Sequence, residues 1–338
     1  RSRSVAGDSS ASSASWAAAG ETATVRLAGG TLNLAGNIQG TGVDITFNFH
    51  SGTLNLGGSS IGLDRFLVGT DPGANAQFTL GSGKSLTTGT LAVGGQGTGV
   101  FNFTGSGLSA NKVTLGPGGT INVSAGWTYT KVLEVQGGTL SLPAGALYLD
   151  AGAQATLTGG QISISYGYVG YQNSPLTTFS QTGGTFSVQS DLAVGRQSAA
   201  QGLYTLVDGL LEVGTAPRSA PALRVGRAGT GTFIQQGGTV RIPYGGLSLG
   251  EEGGNGTYNL QGGVLITPSI TRGTGTGVFN WTGGTLHVDT FGTAATHFNL
   301  SQQGGVLAPG QSIGSTSING NYTQAAPGIL EIEIASPT

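Results

Sequence analysis

The sequence predicts an all-β fold: a right-handed parallel β-helix (β-solenoid) with three short strands in each coil and roughly a dozen coils. Three observations lead to this prediction. Glycine accounts for 65 of the 338 residues and charged residues for only 8%, whereas globular domains carry about a quarter charged residues. A Gly-Gly turn recurs along the chain. The segments that follow these turns alternate apolar with polar residues, which is the period of a β-strand.

The composition excludes several other classes of protein. Collagen would need abundant Pro and Gly at every third position, and only 11 Pro are present. A net charge of −2 without a basic stripe argues against nucleic-acid binding. No apolar run is long enough to insert into a membrane. Because Cys and Met are absent, disulfides and thiolate metal sites are excluded, and we expect Arg1 to follow a processing cut in a secreted protein.

The repeating unit is clearest in its turn and first strand, as in Gly137–Leu142, which reads Gly-Gly-Thr-Leu-Ser-Leu. From Gly137 onward this element returns every 21 to 29 residues, which is enough for three short strands and three turns. The first residues of the turns are Gly29, Ser51, Gly118, Gly137, Gly159, Gly183, Asp208, Gly237, Gly262, Gly283 and Gly304.

Two further strand types fall within each interval. One type ends in glycine, as in Leu192–Gly195, and the other is aromatic, as in Tyr204–Leu206. Since side chains alternate between the two faces of a strand, we expect Leu, Val, Ile and Phe to stack in internal columns. Thr, Asn, Ser and Gln are expected to face outward and to form ladders from coil to coil.

The chain divides into three parts. Residues 1–20 form a Ser/Ala-rich arm or linker without the repeat, residues 21–300 the solenoid, and residues 301–338 its C-terminal end. The stretch Gly328–Ile334 predicts a strong alternating strand. Solenoid ends expose a strand edge and must be covered, so we expect contacts with another copy. The candidate self-assembly residues are Trp16, Val25, Leu27, Leu330, Ile332 and Ile334.

Two strings near the C-terminus carry a family resemblance: Ala308–Gly314, which reads Ala-Pro-Gly-Gln-Ser-Ile-Gly, and Asn319–Gln324, which reads Asn-Gly-Asn-Tyr-Thr-Gln. They resemble the C-terminal section of bacterial autotransporter-type passenger domains and of surface proteins built from autotransporter-associated strand repeats. The resemblance implies a right-handed β-helix, export from the cell and a role at the bacterial surface. It implies no catalytic residue, because the shared part of the family is scaffold.

Candidate chemistry is sparse. His50, His287 and His297 lack the spacing of metal ligands, and no cofactor is expected. Glu251 and Glu252 are expected to be solvated in a Gly-rich turn. Glu331 and Glu333 share one face of a strand, where we expect them to face solvent or a neighbour's arginine. Arg218, Arg224 and Arg227 lie near the irregular loop 215–221, which is either a long corner loop or a contact patch for a partner.

These patterns favour an extracellular structural protein that assembles end to end into a filament or surface layer, with a second copy of itself as partner. The alternative is a monomeric cell-surface adhesin that binds a surface or glycan through the loops near Asp71 and Arg218. An enzyme that degrades polysaccharides on the same fold is the third hypothesis. We expect no enzymatic activity, because the sequence offers no paired carboxylates suited to glycoside hydrolysis.

Overall fold

The computed structural model describes residues 2–5, 9–11, 22–40, 44–124, 130–172, 175–310 and 314–333. They form an all-β, parallel β-solenoid of about 13 turns with almost no helix, so the solenoid prediction is confirmed. The chain falls into two compact units. The first unit comprises Arg1–Leu147 and Thr158–Ile164, and the second comprises Tyr148–Leu157 and Ser165–Thr338.

Most strands are short, and among the described residues one 3-10 turn lies at Glu251–Gly253. The first sixteen strands are β1 (Ser2–Val5), β2 (Ser9–Ala11), β3 (Ala23–Leu34), β4 (Ile38–Gln39), β5 (Ile45–Leu56), β6 (Ser60–Val68), β7 (Asn75–Leu80), β8 (Ser85–Val93), β9 (Thr98–Phe103), β10 (Gly107–Leu115), β11 (Gly119–Val123), β12 (Val132–Val135), β13 (Thr139–Leu149), β14 (Gln154–Leu157), β15 (Gln161–Val169) and β16 (Thr177–Gln181).

The remaining strands continue the same pattern to the C-terminal region. They are β17 (Thr185–Val194), β18 (Gln201–Leu206), β19 (Leu210–Val213), β20 (Leu223–Val225), β21 (Thr230–Gln235), β22 (Thr239–Arg241), β23 (Leu247–Leu249), β24 (Asn255–Leu260), β25 (Val264–Arg272), β26 (Thr276–Trp281), β27 (Thr285–Phe291), β28 (Leu300–Gln302), β29 (Val306–Leu307), β30 (Ser317–Ile318), β31 (Tyr322–Gln324) and β32 (Ile329–Leu330).

Parallel pairing in the first unit aligns apolar residues one coil apart. Val25 of β3 lies opposite Phe47 of β5, which lies opposite Phe66 of β6. The same column continues through Leu91 of β8 and Val113 of β10. All five side chains are buried, so the inward-facing apolar columns predicted from the alternation are present.

An aromatic column forms the corresponding core of the second unit. Phe179, Tyr204, Phe233, Tyr258 and Phe279 occupy equivalent positions on β16, β18, β21, β24 and β26. Their rings stack at centroid distances of 4.7–5.6 Å. Stacked rings of this kind add about 0.5–1.5 kcal/mol per pair to the stability that burial provides.

Asparagine ladders cover part of the outer face. The side-chain amide of Asn55 donates to Asn33 Oδ1 at 2.7 Å, and that of Asn280 donates to Asn259 Oδ1 at 2.8 Å. Asn122 and Asn102 repeat this contact at 2.9 Å. The expectation that outward asparagines pair from coil to coil is therefore confirmed.

The expectation that glutamine faces outward is wrong at three positions in the second unit. Gln235 is fully buried, and its amide donates to the carbonyl oxygens of Gly238 and Val264. Its Oε1 accepts a hydrogen bond from the Tyr258 hydroxyl at 2.6 Å. The inward position is favourable because every polar atom of the amide finds a partner in the turn or the next coil. The same arrangement occurs at Gln181 with Tyr204 and at Gln302 with Tyr322.

Glycines allow the backbone of neighbouring coils to approach closely at one corner of the second unit. Gly250, with φ of +65°, donates its N–H to the Val225 carbonyl at 3.0 Å. Gly256, on the facing strand, would place a Cβ 1.9 Å from that carbonyl oxygen and 2.6 Å from the Gly250 nitrogen. The corner therefore requires glycine at Gly256 for space and at Gly250 for its backbone conformation.

The Ser/Ala-rich segment 1–20 contributes two strands to the first unit. β1 and β2 both pair in parallel with β3. Val25 and Leu27 consequently lie between β1 on one side and β5 on the other, and both are buried. They belong to the core, so neither side chain is accessible for a contact with another copy. Trp16, the other candidate assembly residue in this region, lies outside the described residues.

The C-terminal strand is shorter than the alternation at Gly328–Ile334 predicts. β32 contains only Ile329 and Leu330, which pair with Val306 and Leu307 of β29. Leu330 and Ile332 are both exposed, and their role in assembly stays a prediction. Ile334 lies outside the described residues.

The buried tyrosines predict an alkaline loss of stability. Burial raises the pKa of Tyr204 and Tyr258 well above the ordinary value of 10.0. Above pH 10 the unfolded chain therefore loses phenolic protons that the folded chain keeps, so the free energy of unfolding falls as pH rises. Each tyrosine contributes about 1.4 kcal/mol per pH unit. Urea unfolding between pH 8 and 11 measures this slope.

A double variant tests this cause. Tyr204→Phe with Tyr258→Phe removes both fully buried phenols and should make the alkaline slope shallower. An equal slope in the wild-type chain and the double variant would contradict the prediction.

Candidate functional site

The glycine corner of the second unit presents a row of side chains to solvent. Gly170, Gly195, Gly226 and Gly250 all have positive φ. Each backbone is bonded to the next coil: Arg196 N–H donates to the Gly170 carbonyl and Arg227 N–H donates to the Gly195 carbonyl, both at 2.9 Å. The residue after each glycine therefore occupies an equivalent outward position. These residues are Tyr171, Arg196, Arg227 and Glu251.

Ion pairs bind much of this region together. We call Asp191, Arg196, Arg218, Arg224, Arg227, Glu251 and Glu252 the charged corner. Arg224 Nε donates to Asp191 Oδ1 at 2.8 Å, and its Nη1 donates to Glu251 Oε2. These three side chains are largely shielded from solvent. Burial raises the pKa of the Asp191 carboxyl, although Arg224 and Arg218 act in the opposite direction.

Two other arginines of the charged corner also have partners. Arg218 donates to the carbonyl oxygens of Ala220, at 2.9 Å, and Ser190, and its Nη2 lies 3.9 Å from Asp191 Oδ1. Arg227 Nη2 donates to Glu252 Oε1 at 2.8 Å. This hydrogen bond lowers the pKa of Glu252, which is exposed. Arg218 and Arg227 are thus held by local contacts.

Arg196 differs from them because its guanidinium lies against aromatic rings. Its central carbon is 4.8 Å from the ring centroids of both Tyr168 and Tyr171. Tyr148 joins the group, with its ring centroid 5.1 Å from Tyr168 and 4.8 Å from Tyr171. Burial raises the pKa of Tyr168 to about 12, and the positive charge of Arg196 partly offsets that rise.

An open depression of about 400 Å³ lies beside the Arg196 guanidinium. It is lined by Arg196, Gln197, Ser198, Arg227, Ala228 and Glu252. The residues that line it carry guanidinium, amide, hydroxyl and carboxylate groups. Such a surface is suited to a polar ligand that carries hydroxyl groups and a negative charge.

Sequence reasoning anticipated part of this site. The structure places Arg218, Arg224 and Arg227 in one cluster, as their spacing suggested. It pairs Glu251 with Arg224 and Glu252 with Arg227. The expectation of a solvated acid is confirmed for Glu252, which is exposed, and is wrong for Glu251, which is largely shielded from solvent. Asp191, Arg196 and the tyrosines were missed. The signal that could have found Tyr168, Tyr171 and Arg196 is their position directly before or after a recurring Val-Gly pair.

The first unit has a smaller polar cluster around its irregular loop. Asp71 accepts hydrogen bonds from Arg26 at 3.3 Å and from Asn48 at 2.9 Å, and lies 3.9 Å from His50. The loop is thereby fastened to the outer face of β3 and β5. A separate groove of about 490 Å³ in this unit is lined mainly by polar residues, including Gln39, Asp64 and Asn111.

The remaining candidate residues do not form a site in the part of the chain that the structure describes. His287 Nδ1 is 2.7 Å from the Gly310 carbonyl, and His297, Glu331 and Glu333 are exposed. In the described ranges, no three His, Cys, Asp or Glu side chains converge as metal ligands. Over the same ranges, the search for a helix that could cross a membrane finds none.

Comparison with known proteins adds no relative. No protein-family model, curated protein or solved structure is significantly similar to this chain.

Proposed function

We propose that this chain is an extracellular structural protein of the bacterial cell surface that assembles end to end without enzymatic activity or a cofactor. The open edge near its C-terminus carries the proposal. Within the described residues, β31 and β32 each pair with a strand on one side only. Ile329 and Leu330 of β32 are 56% and 43% exposed, and Ile332, just after this strand, is 68% exposed. A strand that has one unpaired edge and exposed apolar side chains favours the addition of another strand.

A second copy is the occupant that best matches this edge. Within the described residues of the first unit, β1 pairs only with β3 and so offers a parallel edge of its own. The N-terminal edge of one copy and the C-terminal edge of another can continue a parallel sheet. Contacts of this head-to-tail kind generate open filaments when they do not close into rings. The scarcity of charge and the resemblance to surface-protein repeats support an extracellular location.

The fold proposed for this assembly is the right-handed solenoid with three strands per coil. Three series of parallel pairings in the second unit support the three-strand coil, for example β18 with β21, β19 with β22, and β20 with β23. The strong general preference of parallel crossover connections for the right hand supports the handedness. An experimental density map that traces one coil tests both features, and a left-handed path would contradict them.

Changing the exposed edge should abolish assembly. We expect the purified 338-residue chain to form filaments in electron micrographs and large species in sedimentation experiments at high concentration. Ile332→Lys should place a charge in the contact and shift the chain to monomers. Val278→Lys is the matched control, because Val278 is also an exposed apolar residue but lies on β26, away from the last strands. Monomeric wild-type protein, or equal assembly of Ile332→Lys, would contradict the proposal.

A second candidate function is that of an adhesin that binds a glycan or surface. The observation that favours it is the depression beside Arg196, which combines cationic and hydroxyl-binding groups. Binding of labelled protein to an array of neutral and acidic glycans tests this candidate. Binding to none of them would eliminate it, whatever the result of the assembly experiment.

A further inference from the structure

We propose that the depression beside Arg196 binds a carboxylate-bearing sugar of the uronic acid class, with the Arg196 guanidinium as the carboxylate ligand. This inference deepens the adhesin candidate and rests on it. It does not depend on end-to-end assembly of the chain.

The hydrogen-bonding state of Arg196 provides the first argument. Its Nε is buried and has no hydrogen-bond partner, and no carboxylate among the described residues forms an ion pair with the guanidinium. A buried donor without an acceptor destabilises the fold. The tyrosine rings contact the faces of the guanidinium and its Nε is enclosed by protein, so the terminal Nη atoms are the part that can meet a ligand.

The charge of the surrounding residues provides the second argument. The charged corner contains four arginines, Arg196, Arg218, Arg224 and Arg227, and three acids, Asp191, Glu251 and Glu252. Four positive and three negative charges leave one positive charge in excess, although the whole chain has a net charge of −2. Because Arg218, Arg224 and Arg227 pair with the three acids, the excess charge lies at Arg196. A monoanion would balance it.

The shape and lining of the depression identify the kind of anion. A guanidinium binds a planar carboxylate through two parallel hydrogen bonds, which favours carboxylate recognition by arginine over lysine. Gln197 and Ser198, which also line the depression, are exposed and supply donors and acceptors for hydroxyl groups. A volume of about 400 Å³ falls within the range of small-ligand sites. A sugar ring with one carboxylate satisfies all three features.

Titration calorimetry with the full chain tests the proposal. The probes are trigalacturonate, its methyl ester and inorganic sulfate. Trigalacturonate should bind the wild-type chain, and the methyl ester, which has the same rings without the charges, should bind at least tenfold more weakly. Sulfate should not compete at equal concentration. Equal binding of the ester, or equal competition by sulfate, would overturn the assignment to a uronate.

Variants locate the binding site. Arg196→Gln should weaken trigalacturonate binding at least tenfold, and Arg196→Lys should restore only part of it, because lysine keeps the charge but loses the planar fork. Arg272→Gln is the matched control: Arg272 also lies over an aromatic ring, that of Phe298 at 5.9 Å, but outside the charged corner. Unchanged affinity in Arg196→Gln would overturn the proposal.

Two further comparisons keep the test decisive. If Arg196→Gln loses the circular dichroism of the wild-type sheet, the acid-versus-ester comparison on wild-type protein decides alone. If the wild-type protein binds other glycans on the array but not trigalacturonate, the uronate site is contradicted and the adhesin candidate is still supported. Failure to bind any glycan would remove both.

Discussion

Replacing Gly256 by alanine is expected to lower the free energy of unfolding by about 3 kcal/mol, the upper part of the usual range for inserting atoms into a packed site. The added Cβ would lie 1.9 Å from the Val225 carbonyl oxygen and 2.6 Å from the Gly250 nitrogen. These two atoms are hydrogen-bonded to each other at 3.0 Å, so neither can move without weakening the corner. Urea unfolding followed by circular dichroism measures the loss.

Gly62→Ala is the matched control for Gly256→Ala. Both glycines lie in strands without a positive φ, but a Cβ at Gly62 meets no atom within 4 Å. We expect Gly62→Ala to change the free energy of unfolding by no more than about 1 kcal/mol, because the reduced freedom of the unfolded chain favours the folded state only slightly. A Gly256→Ala protein as stable as Gly62→Ala would show that the corner tolerates side chains, and would contradict the close-approach argument.

Replacing Gln235 by leucine is expected to cost about 1–3 kcal/mol of unfolding free energy, because the buried Tyr258 hydroxyl would lose its acceptor. The carbonyl oxygens of Gly238 and Val264 would also lose the amide donor, although Gly238 keeps the backbone N–H of Val264 at 2.9 Å. Leucine itself fits the column, since Leu206 and Leu260 occupy the equivalent positions on the adjacent coils. The lower free energy of unfolding would therefore reflect the lost hydrogen bonds more than a change in side-chain volume.

A double variant and a surface variant sharpen this experiment. Adding Tyr258→Phe to Gln235→Leu removes one of the stranded groups, so the double variant should be more stable than Gln235→Leu alone. Gln236→Leu changes the same residue type at the next, exposed position and should have little effect. Equal urea midpoints for Gln235→Leu and Gln236→Leu would show that the buried network contributes nothing to stability.

The repeat itself was accessible from the sequence because strand period and turn chemistry are local properties. Gly-Gly-Thr turns and alternating apolar residues predict the columns through Phe47 and Phe233. The inward glutamines were not predicted, because a polar residue was assigned to the outer face by type. The alternation itself could have predicted this inward position, because Gln235 is two residues from the buried Phe233 and therefore on the same face of the strand.

The candidate site was less accessible because it depends on the register between coils. Asp191, Arg224 and Glu251 are separated by 33 and 27 residues, and coil lengths vary, so the sequence alone does not bring their side chains together. The shortness of β32 also depends on pairing between coils. The alternation at Gly328–Ile334 satisfies strand propensity, but pairing with the two-residue β29 ends the regular ladder after Leu330.

Unequal coil lengths have a consequence for how such a chain can diversify. Tyr204, Phe233, Tyr258 and Phe279 keep one register although successive members are 29, 25 and 21 residues apart. The surplus residues are accommodated between paired segments, as in the loop 215–221 that carries Arg218. Insertions at such bends leave the hydrogen-bonded ladder intact, so new binding loops can be gained or lost one coil at a time while the core sequence stays under separate constraints.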